Sequence, residues 1–244
     1  MNKPRILLLD IETAPIKAYV WRLWDQNVGL NQIVDNGGVL CVGAKWLGEK
    51  DRYIFSDWAD PKQSKEHNHL DMLYDIWNML NEADAVVTYN GDRFDLPKLY
   101  GEFLLNGFGP PPPVTSIDVY KAVKKLGFIS NKLAFVGPLL KLGAKIKVEG
   151  FELWTKVMDG DAKAQSRMER YCLQDVKLLE RVYKKVRPFI RNHPHLGEKA
   201  HECGACGSNR VQKRGFRRTK SFLIQRVQCI SCGSWQDGVR HKVV

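Results

Sequence analysis

No apolar run in this sequence approaches the roughly 18 residues that a membrane-spanning helix requires, so no such span is expected. The Met1–Pro4 start passes directly into a strand pattern, without the charged and apolar stretches of an export signal. A cytoplasmic location is the resulting expectation, the host cytoplasm if the chain is viral. Cysteine is scarce, six in 244 residues, and its distribution does not suit a disulfide scaffold. Cys41 and Cys172 stand alone, whereas Cys203/Cys206 and Cys229/Cys232 form close pairs that read as metal ligands. Acidic residues are the minority, 27 against 38 basic, giving a net charge of +11. Repeats are lacking, and the one low-complexity tract, Pro110–Pro113, reads as a stiff surface loop. What is present is enough for a core: 44% hydrophobic residues exclude wholesale disorder.

Charge divides the chain. Residues 1–195 hold 28 basic and 24 acidic side chains, a net +4, while 196–244 hold 10 and 3, a net +7. The natural linker is the segment RNHPHLG at 191–197, so the expected parts are a large domain at 1–190, a linker at 191–200 and a small basic domain at 201–244.

Within the large part, Ile6–Leu9 is a continuous apolar run, as expected of a central strand covered on both faces. Val39–Trp46 and Arg52–Phe55 read as two more strands around the Gly48-Glu49-Lys50 turn. Leu70, Leu73, Tyr74, Trp77 and Leu80 fall at helical spacing; Ala85–Tyr89 is a strand, Leu96–Leu105 a helix, Val114–Ile117 a fifth strand and Lys132–Leu142 a helix. A long helix over Ala162–Val186 is stopped by Pro188. This order predicts an α/β fold with a mixed five-stranded sheet and helices on both faces.

Asp10 and Glu12 stand at i and i+2 at the end of the first strand, so both project from one face. Two adjacent anions there are costly unless a cation lies between them; the lesser alternative is that the strand ends at Asp10 and both are solvated loop acids. In the last helix, Met168, Cys172, Leu179, Val182 and Val186 form an apolar stripe, and Asp175 falls in its gap. A carboxylate placed where packing calls for leucine needs a metal or a basic partner. Tyr171, one turn earlier, is within reach of whatever Asp175 binds. Asp95 precedes Pro97 and reads as a helix N-cap or a site acid, with Asp92 as the competing cap.

These residues carry a resemblance. LLLDIET, YNGDRFD and YCLQD are similar to the three exonuclease motifs of the DnaQ-like superfamily, which has the ribonuclease H fold, in its tyrosine (DEDDy) version. Asp10 and Glu12 match the first motif, Asn90, Phe94 and Asp95 the second, Tyr171 and Asp175 the third. The similarity runs from residue 5 to about 187 and is greatest to the proofreading domains of family B DNA polymerases and their stand-alone relatives. It implies metal-dependent 3′ to 5′ hydrolysis with two Mg²⁺ or Mn²⁺ ions. Asp10 would bridge both, Glu12 and Asp175 would hold the ion that activates water, Asp95 would support the second, and Tyr171 would orient the water. Nucleic acid, DNA in preference to RNA, is the implied partner, with Asn90 and Phe94 touching it, and replication or repair proteins are the further partners that follow. Lys121, Lys124, Lys125, Lys132 and Lys141 read as a phosphate track or as solvated helix faces, and Asp118 as a supporting acid or a helix cap.

The cysteine pairs are separated by 22 residues, close to zinc-ribbon spacing, and each is followed by Gly-Ser. Cys203, Cys206, Cys229 and Cys232 would hold one structural Zn²⁺. Between them Lys213, Arg214, Arg217 and Arg218 are interleaved with Phe216, which suits phosphate contact and base stacking. An exoribonuclease stays open; a transposase or integrase is argued against by Tyr171 and Asp175, and a non-catalytic nucleic-acid-binding module with a relic nuclease domain by the five filled site positions.

Overall fold

The structure is a computed structural model that describes residues 4–58, 68–190 and 193–243. In chain order its elements are β1 (Ile6–Thr13), β2 (Lys17–Ala18), β3 (Ile33–Asp35), β4 (Val39–Trp46), β5 (Tyr53–Ser56), α1 (His69–Glu82), β6 (Ala85–Thr88), α2 (Asp95–Leu105), β7 (Thr115–Asp118), α3 (Val119–Val123), α4 (Leu133–Leu139), α5 (Phe151–Met158) and α6 (Ala162–Val186). The tail adds β8 (Val211–Arg218), β9 (Phe222–Cys229) and β10 (Trp235–Lys242).

Five strands form one sheet in the order β5-β4-β1-β6-β7. β4 runs antiparallel to β1 and β5, while β1, β6 and β7 are parallel, so the sheet is mixed. The apolar run of β1 explains its central place. Leu7 and Leu9 face one core with Val42, Met72, Ile76 and Leu99; Ile6 and Leu8 face the other, with Val87, Val136, Leu178 and Val182. Each such fully buried aliphatic side chain contributes about 1.5–3 kcal/mol. Period-two alternation carries the second face onward to Asp10 and Glu12, toward α6.

Several expectations are adjusted. β1 continues to Thr13, so both acids lie within the strand. The buried face of α1 is Met72, Leu73, Ile76, Met79 and Leu80; Leu70 and Tyr74 are exposed, because the core-facing stripe is turned by one residue from the expected one. The helix expected over Lys132–Leu142 spans Leu133–Leu139, with Lys141 in the left-handed region just beyond it. α5 is not among the expected elements, and α3 is a five-residue helix of which the sequence marks only the cap, Asp118. Neither Asp92 nor Asp95 caps α2: the N-cap is Phe94, without a side-chain bond. Asp92 instead accepts from Ser116 and, at 2.5 Å, from Lys121, which removes Lys121 from any free phosphate track.

The tail is a separate three-stranded antiparallel sheet ordered β10-β9-β8. The preceding segment is more than a tether: Leu196 is buried in the core beneath α6, and the His193 ring stacks on Tyr183 and meets its hydroxyl at 2.8 Å. Among the described residues no helix is long and apolar enough to cross a membrane.

Candidate active site

Strand ends and one helix bring the acids together. Asp10 pairs in register with Gly43, and Glu12 with Cys41. A side chain at 43 would stand 2.9 Å from Cys172 Sγ and 3.0 Å from a Val176 methyl, so glycine there lets α6 close onto the sheet. That approach delivers Asp175, 1% exposed, to the face that carries Asp10 and Glu12. Asp95, at the first turn of α2, is buried and turns back to β1, where its Oδ1 accepts the Ile11 amide at 3.2 Å. Three elements thus converge on one end of β1.

The electrostatics are those of crowded anions. Burial, then Asp95, Asp175 and Glu12, hold the Asp10 carboxyl well above its ordinary range. Glu12 is pushed up to about 8 by burial and Asp175, and Asp95 to about 7 by burial, against the Ile11 amide that favours its charge. Burial also raises Asp175, opposed by Lys145 and Tyr171. Lys145 was not anticipated from the sequence. Its Nζ lies 2.5 Å from Asp175 Oδ2 and 3.0 Å from the Tyr171 hydroxyl, and its charge reaches all four acids. Only its position after the Leu142-Gly143 turn, opposite an acid on α6, marks it out, and that is a tertiary fact.

The ion pair expected of Asp175 on a purely structural reading therefore exists, but one ammonium does not balance four carboxylates. Neither Asp175 oxygen accepts a well-aligned hydrogen bond, an unfavourable state for a buried acid. Ligand atoms of Asp10, Glu12 and Cys172 lie within 4.8 Å of one another. The Cys172 thiol donates to the Asp10 carbonyl at 3.5 Å, which leaves a donor set of carboxylate oxygens suited to a hard divalent cation. The residues present fit such an ion.

A cleft of about 490 Å³ opens over the site, lined in part by Asp10, Asn90, Lys132, Lys145 and Tyr171. Asn90 has a left-handed backbone (φ 70°), held by its amide donating to Asp118 at 2.8 Å. Asp118 also caps α3 through the Tyr120 amide at 3.0 Å, so it serves both as support and as cap. Phe94 is exposed at the start of α2. Of the five track lysines only Lys132 lines this cleft. A larger cleft of about 870 Å³ lies between the ribbon and Pro188, Ile190, His193 and His195, and its lining includes none of Asp10, Glu12, Asp95 and Asp175.

In the tail the four sulfurs also lie within 4.8 Å of one another, with Cys203–Cys232 at 3.6 Å and Cys206–Cys229 at 3.7 Å. A tetrahedral Zn–S bond of about 2.3 Å requires S–S edges of about 3.8 Å, so the cluster fits zinc. Gly207 and Gly233 have φ of 71° and 81° and return their amides to the Cys203 and Cys229 carbonyls at 2.8 and 2.9 Å, making two equivalent knuckles. Lys213, Arg214, Phe216, Arg217 and Arg218 lie on β8, an edge strand of the ribbon. Arg217 is engaged by both Asp237 oxygens at 3.1 and 2.6 Å and is not a free phosphate contact.

A mixed sheet in this order, flanked by helices and bearing acids at the end of its central strand, is a ribonuclease H-like architecture. The chain belongs to the RNase H superfamily, whose family model matches residues 29–187. The match begins after Asp10 and Glu12, whose place in the site is given by the geometry. Among solved structures, the family B DNA polymerase of the hyperthermophilic archaeon Pyrobaculum calidifontis is similar, with a TM-score of 0.56 and 17% identity. The similarity covers 76% of this chain and 25% of the polymerase, so it bears on the fold and spans a quarter of that protein. No curated protein matches the sequence.

Proposed function

We propose that the chain is a 3′ to 5′ exonuclease that removes nucleotides from single-stranded 3′ ends, DNA in preference to RNA. The observation that carries this reading is the convergence of Asp10, Glu12, Asp95 and Asp175 on one buried strand end with too little positive charge to balance them. Those four acids would hold two Mg²⁺ or Mn²⁺ ions. Bound there, the ions supply charge neutralisation at the phosphodiester and a more acidic attacking water.

The chain's own groups do the rest. The Tyr171 hydroxyl orients the water beside Asp175, and Lys145 positions both through its contacts at 3.0 and 2.5 Å. Asn90 and Phe94, at the cleft mouth and the start of α2, grip the terminal nucleotide. Residues 1–190 act as the catalytic domain, 191–200 as the connection, and 201–244 as a ribbon whose four cysteines hold one Zn²⁺ and whose free basic residues, Lys213, Arg214 and Arg218, contact phosphates. The preference for DNA is supported by the motif resemblance and by the likeness to a DNA polymerase.

The test is degradation of matched 5′-labelled DNA and RNA single strands with and without Mg²⁺ or Mn²⁺. A metal-dependent ladder shortening from the 3′ end, faster on DNA, is expected. A faster RNA ladder would turn the reading to an exoribonuclease, and no cleavage of either strand would leave a binding module.

A further inference from the structure

Residues 14–38, the excursion between β1 and β4, have no part in the carboxylate cluster, yet they stand beside it. Their large side chains face water: Trp21 is 96% exposed, Leu23 83%, Trp24 79% and Tyr19 77%. Burying apolar area is the main drive of folding, so such a patch on an ordered segment marks an interaction surface.

The segment is ordered by its own polar groups. The Gln32 side chain accepts from the Gly29 amide at 2.7 Å and donates to the Tyr19 carbonyl at 2.9 Å, while the Tyr19 amide donates to the Gln32 carbonyl at 2.9 Å. Arg22 Nη2 donates to the Asp25 carbonyl at 2.8 Å. β2 and β3 pair as a short stalk below this tip. Polar atoms are thus turned onto the backbone and rings are turned outward.

The root of the excursion is fixed to the site. Two residues past Glu12, the Ala14 amide donates to the Gly38 carbonyl at 2.8 Å. Trp154 Nε1 donates to the Thr13 carbonyl at 3.1 Å, and the same indole meets the Tyr171 ring edge-on with centroids 6.3 Å apart. The charges of the segment cancel, Lys17 and Arg22 against Asp25 and Asp35. Such a surface has little pull on phosphates but offers flat aromatic faces, and the ligand it suits is the nucleobase.

We propose that Tyr19, Trp21 and Trp24 form a stacking platform for unpaired bases of the strand whose 3′ end enters the carboxylate site. The identity of that strand rests on the exonuclease reading; stacking itself requires no hydrolysis. The platform holds bases and the ribbon holds phosphates, so the two contributions separate by salt.

The test uses the full chain carrying Asp10→Ala, titrated with an oligothymidylate and with an abasic strand of equal length and charge. Adding Trp21→Ala and Trp24→Ala should weaken oligothymidylate binding about tenfold or more, by a factor that is the same at low and high salt, and leave abasic binding unchanged. Trp21→Phe with Trp24→Phe should keep most of the affinity, because the planar ring is retained. Equal binding by the alanine pair, or an equal loss on the abasic strand, overturns the platform. So does a wild-type dimer that the alanine pair converts to a monomer, which would make the patch a contact between copies. Hydrolysis by the unmodified chain is read separately. Base-dependent stacking without cleavage overturns the exonuclease reading and leaves the platform standing, whereas cleavage with binding indifferent to both tryptophans overturns the platform alone.

Discussion

Asp175 is held in a place that its charge makes unfavourable, and the same is true of Asp10 beside it. Replacing either with alanine should abolish hydrolysis, a loss of a thousandfold or more, about 4 kcal/mol of transition-state stabilisation, while the melting temperature stays level or rises. Tyr171→Phe should lose about ten- to a hundredfold in kcat, since a hydroxyl contributes positioning and not charge. Turnover of all three variants at saturating Mg²⁺ checks the ranking, and a Tyr171→Phe defect as deep as that of Asp10→Ala would assign the tyrosine another task. A second consequence concerns pH. Glu12 titrates near 8 in the fold against an ordinary 4.5, so the folded state binds its proton more tightly than the unfolded chain. Its contribution to stability is full below about pH 4.5 and is lost as pH rises through about 8. Melting of the protein with its carboxylates metal-free should therefore fall across that interval, and Mn²⁺ should restore most at the alkaline end. A flat profile would contradict the crowding of the four acids.

Gly43 shows how an element is placed by what a residue lacks. Gly43→Val would drive a side chain into Cys172 and Val176, which already stand within about 3 Å of the Cβ position. The expected outcome is a destabilisation of about 1–3 kcal/mol and a drop in activity larger than stability accounts for, because α6 would carry Asp175 outward. Equal losses in a Gly43→Val/Asp175→Ala pair and in Asp175→Ala alone would agree with that route. This dependence also marks where the sequence stops being readable. The stripe on α6 was legible because its core-facing residues repeat at helical spacing, and Asp175 stood out within it. Asp10 and Glu12 were legible from strand alternation. Asp95 reads alone as a cap or a site acid, because capping is local, whereas its partner, the Ile11 amide, is 84 positions away. Lys145 lay in an irregular stretch with no period to mark it. α5 was missed because its start, Gly150, offers no capping side chain and the helix runs only eight residues.

The whole molecule places +7 of its +11 charge in 49 residues away from the acidic cleft. Removing that tail should weaken binding to long strands and reduce the salt slope, while leaving hydrolysis of a short oligonucleotide at high concentration largely unchanged. The cut belongs after Gly197: a cut after Arg191 would also remove Leu196 and His193 from the face of α6, at a cost of about 1.5–3 kcal/mol for the leucine alone. Unchanged affinity and slope in the shorter chain would leave the ribbon as a purely stabilising element. The bond from the Leu196 amide to the Gly204 carbonyl, 2.6 Å, starts in the core and ends inside the first cysteine knuckle. Zinc loss would loosen the turn that presents Gly204, so amides in the final turns of α6 should exchange faster with solvent deuterium once the ion is withdrawn. A zinc ion held by the four cysteines would then act as a latch on the opening of a helix whose middle carries Asp175, and chelation would be felt as breathing in the body that holds the acids before the ribbon's own strands separate from one another.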